Sequence, residues 1–233
     1  IINLTCDAKC ENLYGMTYPL NHIFMCNIAS GKMRILGQVR GVTRGDSGCS
    51  HETVCDLDGN LYGSCGAGFL FKYDRKRNQL LETEIALPDG DYRIDSLVRT
   101  PDGLIYGGTW ESGYLFRFDP SSQKLETVAR PNEGARMPAL VFFEDRLFGA
   151  AGGGEQYGTR SAFLFEHDLK RQKTKEIGDI VDEKSGVHAS RIHTMTVSND
   201  GIIYAGETGA PRVRTQEDIE TGIQPYFYVC TLA

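Results

Sequence analysis

The amino-acid sequence predicts an all-β fold, a β-propeller in which five blade repeats are visible. A short motif recurs five times, as LYG at 13–15 and 61–63, IYG at 105–107, LFG at 147–149 and IYAG at 203–206. Each copy precedes an alternating aromatic run: HIFMCN at 22–27, FLFKYD at 69–74, YLFRFD at 114–119, FLFEHD at 163–168 and YFYVCT at 226–231. The repeat aromatics Tyr14, Tyr62, Tyr106, Phe148 and Tyr204 stand 48, 44, 42 and 56 residues apart, close to the length of a propeller blade. No segment carries a helical period of useful length. One small twisted sheet cannot bury both of its faces, whereas blades ranged around an axis bury one another.

In chain order, the alternating runs and the turn residues between them assign strands A to D, from the axis outwards, in each blade. Blade 1 (about 1–44) takes strands at 2–10, 13–17, 22–27 and about 32–39. Blade 2 (45–90) takes 50–55, 61–65, 69–74 and about 79–86. Blade 3 (91–134) takes 92–99, 104–109, 114–119 and 124–129, with Asp102-Gly103 supplying the φ > 0 position of a tight hairpin. Blade 4 (135–188) takes 137–143, 146–150, 162–168 and 173–177. Blade 5 (189–233) takes 191–198, 202–207 and 226–232, and no pattern for its D strand remains before Ala233. The 233 residues therefore read as one propeller domain. The pattern favours a larger six- or seven-bladed ring, with further blades on sequence outside this chain, over an imperfect five-bladed one.

Composition narrows the partners. The net charge is −6, with 25 basic against 31 acidic residues, and no clustered basic face suits nucleic acid. No apolar run is long enough to span a bilayer, and no signal-peptide pattern stands at the start. The first residue is Ile1 rather than Met, compatible with a leader or further sequence having been removed. Seven cysteines are present without a zinc-ribbon pair, and their disulfide state stays open. Cys26 and Cys230 share the repeat position of Tyr73, Phe118 and His167, so they are expected as buried core residues.

Counting eleven residues back from each repeat aromatic reaches equivalent positions on the innermost strands: Asn3, His51, Asp95, Met137 and His193. Three are ionisable where an apolar filler would pack more cheaply. His51, Asp95 and His193 converging near the axis suit one divalent metal ion (Ca, Mn or Zn), or a base with an electrostatic partner. The bland alternative is a hydrogen-bonded plug in the channel. The B–C loops lengthen on one face and bring further polar groups: Tyr18 and His22 in blade 1, Trp110 in blade 3, Tyr157 and Arg160 in blade 4, Arg212 in blade 5. Trp110, the single tryptophan, suits stacking on a sugar if its ring is exposed.

The DG-x-(I/L)-YG…G-x-LF-x-(F/Y)-D repeat resembles that of bacterial sugar-associated propellers, a grouping that includes ulvan-type polysaccharide lyases. It is also similar to streptogramin-lyase-like and gluconolactonase-like propellers. The resemblance covers nearly the whole chain but concerns the blade scaffold, which does not fix function. It implies a site for an acidic oligo- or polysaccharide, with β-elimination at the channel mouth. His51, His193, Tyr157 and Arg160 are the matching catalytic types, and Tyr18, His22, Trp110 and Arg212 the substrate-binding ones. Two alternatives stand beside it: a non-enzymatic propeller that binds glycan or protein through its loop face, and a metal-dependent lactonase or esterase. A glycan substrate would favour a secreted or periplasmic location.

Overall fold

The structure is a computed structural model, described for residues 3–18, 20–39, 50–66, 68–131, 133, 136–152, 161–184, 186, 188–207 and 227–232. It is all-β, with five antiparallel blades in a ring, the arrangement of a five-bladed β-propeller. Blade 1 is β1 (Asn3–Cys6), β2 (Asn12–Met16), β3 (His22–Asn27) and β4 (Met33–Gln38). Blade 2 is β5 (Val54–Cys55), β6 (Leu61–Cys65), β7 (Phe69–Asp74) and β8 (Gln79–Ala86), and a single 3-10 turn follows at Pro88–Gly90. Blade 3 is β9 (Ile94–Arg99), β10 (Ile105–Thr109), β11 (Leu115–Asp119) and β12 (Lys124–Ala129). Blade 4 is β13 (Ala139–Phe143), β14 (Arg146–Ala151), β15 (Phe163–Asp168) and β16 (Lys173–Asp179). Blade 5 has three strands among the described residues: β17 (Ile192–Val197), β18 (Ile202–Glu207) and β19 (Phe227–Thr231). No helix among the described residues is long and apolar enough to cross a membrane.

The repeat motif has a packing explanation. Tyr14, Tyr62, Tyr106 and Phe148 lie at most 3% exposed in the interfaces between blades. Tyr14 meets Tyr73 of blade 2 at 6.1 Å between ring centres, and Tyr62 meets Phe118 of blade 3 at 5.2 Å. Each such ring contributes roughly 1.5–3 kcal/mol through burial. The glycine after it lets the neighbouring strand's aromatic lie flat across the backbone. A Cβ on Gly63 would stand 2.7 Å from Phe71, and one on Gly15, Gly107 or Gly149 would overlap Phe24, Phe116 or Phe165. Blade 5 departs from the motif: Ala205 takes the place after Tyr204, opposite Tyr228, and Tyr204 stacks on Phe227 of its own blade at 6.0 Å.

Tight turns join the first two strands through side chains rather than backbone alone. Asp56 accepts hydrogen bonds from the N–H groups of Asp58 and Asn60 and from the Asn60 amide, and Asp7 does the same toward Glu11 and Asn12. Such Asx turns pre-form the hairpin. The core cysteine expectation holds poorly: Cys26 is half-buried and Cys230 exposed. In blades 2 and 3 the equivalent rings, Tyr73 and Phe118, are covered by Leu80 and Leu125 of the outer strand. No described strand covers Cys230.

Candidate functional site at the channel mouth

Five innermost segments, one from each blade, open on one cleft of about 150 Å³, lined by Asn3, His51, Glu52, Asp95, Pro138 and His193 among others. Hydrogen bonds between blades hold these segments together. Asn3 donates from its amide to the Ser50 carbonyl (3.1 Å) and accepts from the Thr53 hydroxyl (3.0 Å). The His51 N–H donates to the Ile94 carbonyl at 3.0 Å. The Ser96 hydroxyl donates to the Met137 carbonyl at 2.7 Å.

Two side chains reach the cleft because their strands bulge. Gly108 pairs with Ser96, but Thr109 pairs with Ile94, which leaves Asp95 as the extra residue of β9. Gly206 pairs with Thr194 and Glu207 with Ile192, which leaves His193 as the extra residue of β17. A bulge re-aims one side chain without ending the strand. β13 pairs with β14 without a shift over Ala139–Phe143, a one-residue offset follows beyond it, where the Gly152 N–H donates to the Arg136 carbonyl, and Met137 does not join the cleft. It is fully buried between blades 3 and 4, its side chain against Gly108, and Pro138 takes the place at the cleft.

Asp95 is the electrostatic hub. Its carboxylate accepts two hydrogen bonds from the Arg136 guanidinium, at 3.0 and 2.7 Å, and lies 3.5 Å from His51 Nδ1. His51 and His193 sit with ring centres 5.9 Å apart. Burial pushes the His51 imidazole down to about 3, helped by the charges of Arg136, Arg93 and Arg191. Burial also lowers His193, with Arg191 adding to the effect. Both rings are therefore neutral at pH 7. Glu52 behaves in the opposite sense: burial, and then the Asp95 charge, push its carboxyl up to about 7. It also lines a second cavity of about 320 Å³, with Leu97, Leu140 and Thr196.

Trp110 stands behind His51, the two rings edge to face at 4.5 Å. The guanidinium carbons of Arg136 and Arg93 lie 3.1 and 3.5 Å from its ring centre. Two guanidiniums that close to one centroid cannot share a face, so they sandwich the indole. Both faces are taken, which corrects the expectation of a sugar-stacking ring; Trp110 instead positions Arg136 and His51. Tyr18 is 56% exposed on the loop after β2, and His22 opens β3 with its N–H on the Thr17 hydroxyl. Neither lines the cleft. Tyr157, Arg160 and Arg212 lie outside the described residues. Among the described residues no group of three His, Cys, Asp or Glu side chains is placed to hold a metal ion. Both Asp95 oxygens accept from Arg136, so the donor set fits a metal poorly. Sequence reasoning missed Glu52 and Arg136. Only their places beside His51 and Met137, two of the repeat positions, hinted at them.

Comparison with known proteins bears on the fold alone. No family model and no curated protein matches the chain. Among solved structures it is similar to the extracellular domain of BT4673 from B. thetaiotaomicron, with TM-score 0.63 and 14% identity over 88% of this chain and 26% of that one. It is also similar to the Niastella koreensis GH74 enzyme, with TM-score 0.65 and 14% identity over 88% and 33%. TolB from Acinetobacter baumannii gives TM-score 0.62 and 9% identity over 98% and 51%. The chain thus spans between about a quarter and a half of these structures. All three are β-propeller proteins, and the fold and its axial cleft place this chain in that class.

Proposed function

We propose that the chain is a carbohydrate-active β-propeller that takes an acidic oligo- or polysaccharide at the channel mouth and cleaves it by β-elimination. One observation carries the proposal: Glu52, with a carboxyl poised near neutrality, shares the cleft with two neutral imidazoles under the positive field of Arg136, Arg93 and Arg191. That field suits a uronate carboxylate and the charge that builds on it when the neighbouring proton leaves. Glu52 accepts this proton, since its pKa matches the working pH better than that of His51. The C–H electron pair becomes a ring double bond, the glycosidic C–O bond breaks, and the departing oxygen takes from Glu52 the proton that Glu52 removed, which restores the carboxylate. His193 hydrogen-bonds the sugar as a neutral ring. The N. koreensis GH74 enzyme among the structural neighbours, and the repeat's likeness to ulvan-type lyases, agree with a sugar-related role. The low basicity of His51 favours a second reading, glycan recognition without turnover.

Incubation with polygalacturonate, alginate and ulvan, followed by ultraviolet absorbance of unsaturated uronates, tests the proposal. Absorbance growth lost in Glu52→Gln is expected. Calorimetric binding without absorbance growth would support the second reading, and neither signal would overturn both.

A further inference from the structure

The outer edge of β19 differs from the equivalent edge in the other four blades. There, a fourth strand pairs antiparallel with the third: β4 on β3, β8 on β7, β12 on β11 and β16 on β15. Among the described residues β19 pairs only with β18. Beside it, between β16 and β19, runs a groove of about 480 Å³ lined by Ile177, Met195, Ile203, Tyr228, Val229 and Cys230. Val229 is 59% and Ile177 47% exposed. Met195 and Ile203 belong to the core between blades 4 and 5, so the groove continues an interface already built.

Register defines what would fit. Tyr73, Phe118 and His167 pair across the second strand with Leu61, Ile105 and Leu147, as Cys230 does with Ile203. On their outer side they face Leu80, Leu125 and Thr174. Leu80 and Leu125 pack into the cores with the preceding blades. Residue 230 thus has a small or apolar partner in three other blades, and the groove is the space such a partner would fill.

We propose that the open edge of β19 is a docking edge for one extended polypeptide strand, antiparallel to β19, with an apolar or small residue opposite Cys230. The occupant is a partner segment patterned like β12, and it adds by main-chain pairing, with alternate side chains setting specificity. This inference is independent of the glycan reading.

The probe is a synthetic peptide copying residues 122–130, with cysteine in place of Leu125 and activated as its 2-thiopyridyl disulfide. The Cys230 thiolate attacks the activated sulfur, forms a protein–peptide disulfide and releases pyridine-2-thione, which is measured. Adduct formation at Cys230 should exceed by about tenfold that of peptides carrying the cysteine at the Lys124 or Glu126 position, and it should vanish in Cys230→Ser. A peptide that also carries proline at the Glu126 position, whose N–H faces the neighbouring strand in the β12 register, should lose the advantage, because proline cannot join the ladder. Equal trapping at all three positions, trapping that survives proline, or no trapping at Cys230 would each overturn the proposal.

Discussion

Arg136, just before the innermost strand of blade 4, closes on Asp95 of blade 3 through two hydrogen bonds of 3.0 and 2.7 Å, and both side chains are almost fully buried. The pair ties two blades together at the height of the cleft. It also fixes the carboxylate against His51 and holds the guanidinium on Trp110. Structural and chemical roles therefore fall on the same two residues.

Removing one partner strands the other as a buried charge, which costs about 3–5 kcal/mol. Arg136→Met and Asp95→Leu should each lower stability by that order in chemical denaturation. The double variant should recover much of the loss, because neither charge is then left unpaired. A double variant as unstable as the sum of the singles would show that the pair is not an isolated unit.

Arg136 is also the first charge among those that hold the His51 pKa down. An NMR titration of the imidazole in Arg136→Gln should show that pKa rise above the wild-type value. An unchanged titration would mean that burial and the remaining charges set it without Arg136.

The pH dependence of stability should carry two opposing contributions. His51 titrates at about 3 when folded against 6.5 as its ordinary value, so the unfolded chain binds more protons between these limits. Its contribution is full above pH 6.5 and fades as pH falls toward 3. Glu52 titrates at about 7 against 4.5, so the folded chain binds more protons, and its contribution fades as pH rises from 4.5 to 7. Glu52→Gln should therefore gain stability over wild type at pH 8, by up to about 3 kcal/mol, and little at pH 4. Thermal melts of both proteins across this range check the sign.

If Glu52 is the base, turnover should rise with pH through about 7 and level off above it. A profile that instead follows a group near 3 would assign the proton transfer to His51.

Glycines on the second strands should be graded in their tolerance by what stands against them. Gly107→Ala would drive a methyl group into the Phe116 ring and against Leu97, costing roughly 1–3 kcal/mol by overpacking. Gly206→Ala, one place further along its strand than the Gly107 position, meets a Thr194 methyl alone among the described residues and should cost less. Urea midpoints of the two variants rank them.

The scaffold was legible because its signals are local. Alternation, the aromatic–glycine pair and the turn residues each act within one blade, and the 19 strands among the described residues fall where those patterns lie. The inner ring was legible only in part. Equal spacing led to His51, Asp95 and His193, but it also led to Met137, because the offset of blade 4 falls beyond β13 and Pro138 rather than Met137 lines the cleft. A bulge leaves no trace in composition. Glu52 and Arg136 are set by contacts from other blades, between residues as far apart as 41 positions in the case of Arg136 and Asp95. Trp110 shows the same limit, since its sequence surroundings say loop while two distant arginines decide what its faces touch.

The sandwich around Trp110 gives the protein an optical property. As the single indole of the chain, flanked by two cations and edge-on to His51, it reports from one place alone. Its emission should respond when the imidazole gains a proton, because a protonated ring quenches indole, and when a carboxylate in the cleft draws an arginine off its face. Binding can thus be followed in unlabelled protein, with no competing fluorophore of the same class to subtract.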